Sequence, residues 1–386
     1  MSIAGFIVLL LAVFFLAWSN GANDNFKGVA TLYGSGTCRF RTALIVATLA
    51  TLLGSLVSVV FAATLVKAFS GKGIVPPDLI DATLLTSVGI SGAITIFIAT
   101  ILGMPTSTTH ALTGALVGAA LMADPSGVGW RTLATKFAQP LLLSPILAIL
   151  LTSVIYIFLR RLRRATGVKP QTCICIAGGA PQPVTVTNDG LAILQSAHAP
   201  PLQVSIGEED QCIERYVGRV MGLNAQSIVD SLHYLSGAAV CFARAVNDTP
   251  KIAALLLAGS VLTLHTLPSL DTTIKLSLVA IAMAMGGLLQ SRKVAETMSK
   301  RITSLNTGQG LTANLVTAFL VLGASRMGVP VSTTHVSCGS IFGIGAVNGN
   351  RHWSTIGKIA LTWATTLPFG FVLGMICYTI ISSLSG

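Results

Sequence analysis

Long apolar runs separated by short polar punctuation make up most of the chain. Five fall in the first half, at about 3 to 22, 42 to 66, 82 to 102, 105 to 122 and 138 to 159. Five more fall in the second, at about 225 to 246, 272 to 290, 309 to 327, 330 to 347 and 356 to 384. With roughly 20 residues needed to carry a helix across a bilayer, the pattern predicts about ten membrane passages. The runs at 105 to 122 and 330 to 347 are short, Gly-rich and polar at their start, which makes them candidates for re-entrant segments. A polar stretch from about Arg160 to Arg219 divides the two groups. The organisation read from this pattern is a first membrane repeat at 1–164, a cytoplasmic loop at 165–212 and a second membrane repeat at 213–386. The first run, Ile3 to Trp18, has no basic segment before it and no small-residue cleavage site after it, so it reads as a retained span.

Composition agrees with this. Charged residues make up 10% of the 386, against about 25% in soluble proteins, while 52% are apolar and the mean hydropathy is +0.78. So few charges cannot cover a water-facing surface, which excludes a soluble globular enzyme, a disordered chain and a coiled coil. The fold class is an all-α polytopic membrane protein. A net charge of +11 would suggest nucleic acid in a soluble chain; here the placement of the charges matters more, and nucleic acid is not an expected partner. With the amino terminus outside and five crossings per half, fifteen Lys and Arg fall inside and six outside, which follows the positive-inside rule and puts both termini outside. The seven Cys are scattered, and Cys173 and Cys175 form a lone Cys-x-Cys that reads as a loop pair, with no metal site expected.

The chain also repeats itself. Ala22-Asn23-Asp24-Asn25-Phe26-Lys27 aligns with Val246-Asn247-Asp248-Thr249-Pro250-Lys251 at an offset of 224. Pro105-Thr106-Ser107-Thr108-Thr109-His110 aligns with Pro330-Val331-Ser332-Thr333-Thr334-His335 at 225, and Trp130 with Trp353 at 223. Different motifs at nearly one spacing mark a duplication. An odd number of crossings per half makes two inverted-topology repeats, with broken or re-entrant helices at the motifs.

The first motif places Gly, Asn and Asp where an apolar helix runs out, and their side chains compete for backbone hydrogen bonds, so the helix is expected to break there in both halves. Ionised Asp inside a bilayer costs roughly 2.5 to 3.5 kcal/mol and therefore faces a cavity and a partner; Asp24 and Asp248 are the candidates for coupling to a cation. The second motif begins with Pro and continues with hydroxyls, the mark of a helix start whose free N–H groups and partial positive charge suit an oxyanion. Ser107, Thr108, Thr109, Ser332, Thr333 and Thr334 are the candidate ligands. His110 and His335 read as interhelical hydrogen-bond partners, with a proton relay as the sharper alternative. Arg244, four residues before Asp248, has Asn20 as its counterpart and reads first as a partner for Asp248, with substrate binding as the alternative.

Gly21-Ala22-Asn23-Asp24 and the two Pro-x-Ser-Thr-Thr-His blocks resemble the paired signatures of the inorganic phosphate transporter (PiT) family, and the resemblance covers both membrane halves. It implies a secondary transporter with inverted repeats, commonly a homodimer, that moves phosphate with sodium or protons across the cell membrane; some relatives carry sulfate. It also implies that Asn23, Asp24, Asn247 and Asp248 lie at the cation and anion site. One departure stands out. The family continues Asn-Asp with Val-Ala-Asn, whereas this chain has Asn25-Phe26-Lys27 and Thr249-Pro250-Lys251. Lys thus stands where an Asn cation ligand is expected, in both copies. Three residues after each Asp, Lys27 and Lys251 are placed to pair along a helix and to act as tethered cations near the substrate.

The function expected is secondary active transport of inorganic phosphate through a site at the repeat interface, coupled to a proton or sodium and needing no cofactor. Sulfate, equally tetrahedral, is the runner-up. A passive anion channel would need no Asp in the site. A membrane enzyme on a phosphorylated lipid, with Asp24 or His110 as base, would show an asymmetric active site in place of mirrored motifs, so the chain is not expected to be an enzyme.

Overall fold

The computed structural model describes residues 3–69, 74–165, 169–171, 175–176, 204–205, 215–217, 219–220, 223–261 and 271–385. In the first half, α1 spans Ile3–Asp24, α2 Ala30–Gly34, α3 Phe40–Phe69, α4 Ala82–Ile101 and α5 Thr108–Ala123. A short α6, Trp130–Thr132, runs through a π-helical stretch, Leu133–Ala138, into α7, Gln139–Ala165. The second half gives α8 at Ala225–Val261, α9 at Thr272–Gln290, α10 at Arg292–Lys300, α11 at Thr307–Arg326, α12 at Thr333–Asn348 and α13 at Trp353–Ser385. Between the halves lie three antiparallel pairs of very short strands: β1 Lys169–Gln171 with β4 Arg215–Val217, β2 Cys175–Ile176 with β3 Val204–Ser205, and β5 Arg219–Val220 with β6 Leu223–Asn224. Cys173 and most of the central loop lie outside the described residues.

The ten apolar runs therefore appear as ten long helices among the described residues, with equal lengths for α4 and α11 and for α5 and α12. Six of them are long and apolar enough by themselves to cross a membrane. The sixteen-residue α5 and α12 extend only about 24 Å at 1.5 Å per residue, short of a hydrocarbon core of about 30 Å. The surface is apolar where a soluble protein would be polar. Leu53 on α3, Leu142 and Val154 on α7, Phe319 on α11 and Leu361 on α13 are all exposed, while Asn, Asp, Lys and Arg side chains are buried. Such a chain can place its backbone in lipid because helices satisfy their own N–H and C=O groups.

Packing is crosswise. α1 lies against α4 of its own half and α9 of the other; its counterpart α8 lies against α11 and α3. Likewise α5 packs on α13, and α12 on α7. Small residues permit the close approach. A Cβ at Gly114 or Gly118 would meet the α13 backbone at 2.2 and 2.0 Å, and one at the matched Gly339 or Gly343 would meet the α7 backbone at 2.9 and 2.7 Å. Two large apolar clusters result, one around Leu9, Leu16, Leu85, Ile96 and Leu255, the other around Phe26, Leu32, Met298, Ile302 and Ile344, with a small third of Ala148, Ala243, Val321 and Val336.

The expected helix break is found in one half only. α1 ends at Asp24 and the chain turns before α2, but α8 runs unbroken through Asn247, Asp248 and Pro250 to Val261. The residues that follow explain the difference. Lys27 precedes Gly28, which weakens a helix by about 1 kcal/mol relative to Ala, whereas Lys251 precedes Ile252-Ala253-Ala254-Leu255, which continues the helix into the first apolar cluster.

Candidate functional site

Each Pro-marked motif follows a left-handed glycine. Gly103 and Gly328 have φ of +70° and +66°, conformations that a side chain resists, and they turn the chain sharply out of α4 and α11. Ser107 and Ser332 then cap the new helices, each hydroxyl accepting from the N–H three residues on, His110 and His335, at 3.2 Å. The first-motif asparagines hold these turns. Asn23 donates to the Met104 carbonyl and to Thr100 Oγ1 and accepts from the Thr106 N–H, all at 3.0 Å. Asn247 donates to the Val331 carbonyl at 3.3 Å and accepts from Ser325 Oγ at 3.3 Å. Thr100 and Ser325 are themselves repeat partners, a pair that the sequence alone did not single out.

The acids and lysines meet beside the helix starts. Lys27 Nζ donates to Asp24 Oδ1, to the Thr106 carbonyl at 2.9 Å and to Thr334 Oγ1 from the opposite half. Lys251 Nζ donates to Asp248 Oδ1 at 3.2 Å, to the Val331 carbonyl at 3.0 Å and to Thr109 Oγ1 from the opposite half at 2.9 Å. The two ammonium groups thus have the same three kinds of oxygen neighbour: one carboxylate, one main-chain carbonyl and one threonine hydroxyl across the repeat boundary. Thr109 in turn donates to the Val331 carbonyl at 3.1 Å, and Thr334 to that of Thr106. Thr108 accepts from Asn20 at 2.8 Å. Asp248 Oδ2 is buried without a hydrogen-bond partner.

All twelve residues singled out from the sequence, Asn23, Asp24, Lys27, Ser107, Thr108, Thr109, Asn247, Asp248, Lys251, Ser332, Thr333 and Thr334, are buried. The imidazole centroids of His110 and His335 lie 4.6 Å apart, and that of His335 lies 4.1 Å from Trp363 with the rings tilted by 35°. Neither histidine ring hydrogen-bonds to the other among the described contacts: His110 Nδ1 meets its own Ser107 at 2.8 Å and His335 Nδ1 the Leu141 carbonyl at 3.3 Å. One expectation needs correcting. Arg244 does not pair with Asp248. Its Nη1 donates to Asn20 Oδ1 at 3.0 Å and its Nη2 to Thr51 Oγ1 at 2.8 Å, because Lys251 already holds Asp248. Thr51 was not foreseen either, since it is an ordinary helix hydroxyl with no motif around it.

An apolar outer face around buried ion pairs and hydroxyl-capped helix starts defines a multi-pass membrane protein with a charged interior site. Residues 20–374 match the Phosphate transporter family, and the chain belongs to that family. Similar proteins include "Inorganic phosphate transporter 2-1, chloroplastic" of Arabidopsis thaliana, 27% identical over 95% of this chain and 70% of the relative. Another is the "Probable low-affinity inorganic phosphate transporter" of Bacillus subtilis, 25% identical over 99% of each chain. A solved structure, "The sodium-dependent phosphate transporter", shares the fold with a TM-score of 0.75 over 98% of this chain and 99% of that one, at 21% identity. The membrane-enzyme reading falls away, because family and fold are those of transporters.

Proposed function

We propose that the chain carries inorganic phosphate across the cell membrane by alternating access, with both termini outside, and that Lys27 and Lys251 replace bound sodium. The observation that supports this is the matched environment of the two ammonium groups. Carboxylate, carbonyl and hydroxyl oxygens are the donors a hard cation takes, and here each set surrounds a lysine. An ammonium fixed to the chain cannot be released on the far side, so it cannot transmit a sodium gradient. Coupling then falls to a proton, with Asp24 and Asp248 as its carriers. The oxyanion sits between the starts of α5 and α12, where two helix N-termini and the hydroxyls of Ser107, Thr108, Thr109, Ser332, Thr333 and Thr334 supply donors. The two halves act as inverted repeats that rock about this site, and the functional unit is a homodimer.

Purified protein in liposomes tests the reading. Labelled phosphate uptake should respond to an imposed pH gradient and stay the same when sodium is exchanged for potassium. A steep rise with sodium would overturn the tethered-cation proposal. Competition by sulfate, which stays doubly charged near neutral pH, separates the two tetrahedral anions: a phosphate carrier discriminates against it and a sulfate carrier does not. Asp24→Asn and Asp248→Asn should each abolish uptake at normal expression, and unchanged uptake in both would remove the acids from the mechanism.

A further inference from the structure

Arg244 is one of the largest fully buried side chains, with 1% of its surface exposed, and it sits on α8 one turn before Asp248. Its two hydrogen-bond acceptors, Asn20 Oδ1 and Thr51 Oγ1, are neutral, and its Nε has no partner. The carboxylates nearby are engaged elsewhere, Asp24 with Lys27 and Asp248 with Lys251. Among the described residues Arg244 has no ion pair. In their ordinary ionic states Lys27, Lys251 and Arg244 carry three positive charges against the two negative ones of Asp24 and Asp248. The buried centre is therefore one positive charge in excess, and an arginine remains charged at any physiological pH. Burying a charge without a counterion is strongly unfavourable, so the fold holds a guanidinium that lacks its anion.

The contacts of Asn20 connect this charge to the candidate site. Asn20 Nδ2 donates to Thr108 Oγ1 at 2.8 Å and lies 3.4 Å from Asp24 Oδ2, while its Oδ1 accepts from Arg244. Arg244 is thereby one side chain removed from the start of α5. Asn20 is also the residue at the repeat position matching Arg244, so two corresponding positions meet and only one of them is charged.

We propose that Arg244 is an anion-binding residue of this site: the transported oxyanion is its missing counterion, bound toward the side of the pocket formed by Arg244, Asn20 and Thr108. Binding exchanges a neutral acceptor on the guanidinium for a charged oxygen, which makes a stronger hydrogen bond. The site is thus lopsided despite its matched halves, and affinity depends on one residue that has no repeat equivalent. This inference rests on the phosphate-transport reading above.

Uptake kinetics in liposomes, together with the shift in unfolding temperature on adding inorganic phosphate in detergent, test it. Arg244→Gln keeps a donor in place of the guanidinium but removes the charge. Its KM for phosphate should rise roughly ten- to a hundredfold, the scale of losing a hydrogen bond to a charged partner, with maximal rate changed far less, and the phosphate-induced thermal shift should shrink. Thr51→Val removes the Arg244–Thr51 hydrogen bond and leaves the charge, so its KM should stay within about threefold of wild type. If Arg244→Gln does not accumulate, Arg244→Lys takes its place, with KM raised because the planar fork is lost. Wild-type KM in the Gln or Lys variant, or equal changes in Arg244→Gln and Thr51→Val, would show a purely structural arginine and overturn the inference. Wild-type protein that takes up no phosphate would instead defeat the transport reading itself.

Discussion

Lys27 and Asp24 form a pair whose value can be measured by removing its members singly and together. Both side chains are almost wholly inaccessible, at 1% and 0% exposure. Taking away one partner of a buried pair leaves an uncompensated charge and typically costs about 3–5 kcal/mol, whereas replacing both with neutral residues of similar size costs much less. Lys27→Met leaves the Asp24 carboxylate with only long contacts, Asn20 at 3.4 Å and Thr108 at 3.5 Å. Asp24→Asn leaves the ammonium with the Thr106 carbonyl and the Thr334 hydroxyl. In the double variant neither member of the pair is charged and the outstanding loss is a few hydrogen bonds of about 1 kcal/mol each. The two single losses should therefore exceed the double loss, with a coupling energy of at least about 2 kcal/mol. The measurement is reversible unfolding in mixed detergent micelles. The second pair provides an internal comparison: once Lys251 is gone, Asp248 Oδ1 still accepts from Asn247 Nδ2 at 3.0 Å, a shorter bond than either contact left to Asp24, so Lys251→Met should cost no more than Lys27→Met. Additive single and double effects would refute the claim that these are mutually dependent buried ions, and with it the view that each lysine replaces a bound cation.

Substitutions at four further positions probe the frame around the site. Gly118→Ala should destabilise strongly, because its Cβ would stand 2.0 Å from the Phe371 carbonyl, while Gly357→Ala, with nothing within 4 Å on an exposed helical turn, should stabilise by up to about 1 kcal/mol; thermal melts of the two variants make the contrast. Gly103→Ala forces a side chain into φ +70° and should lower stability by about 1–2 kcal/mol in the same melts. Ser332→Ala removes the cap from His335 N–H and should lower stability by about 0.5–2 kcal/mol, with Ser332→Asn retaining most of it; equal melts for the two would show that the cap contributes nothing.

The sequence made much of this visible because duplication and hydrophobic length are both linear signals. The ten runs matched the ten long helices to within a few residues at most ends, and the offsets near 224 brought the right blocks together. α8 was the exception: its apolar run was read to end at about 246, yet the helix reaches Val261, because the composition after Lys251 favours helix while the motif before it favours a break. Local propensity within the motif was the wrong place to look. Arg244 was misassigned for a different reason. Spacing of four residues on a helix predicts proximity to Asp248, but Lys251 at spacing three already occupies that carboxylate, and the guanidinium instead bridges to α1 and α3. The carbonyls of Thr106 and Val331 were invisible because any residue supplies a carbonyl, and only the turn after a left-handed glycine aims it at an ammonium.

The contact between Arg244 and Asn20 bears on how such a chain arises. In a dimer of two identical half-length chains, any residue lying against its own copy occurs twice or not at all, so facing arginines would repel and facing asparagines would leave the centre neutral. Joining the halves into a single polypeptide lifts that restriction. A lone guanidinium against an amide, as found here, is a pairing that two identical half-length chains could not form.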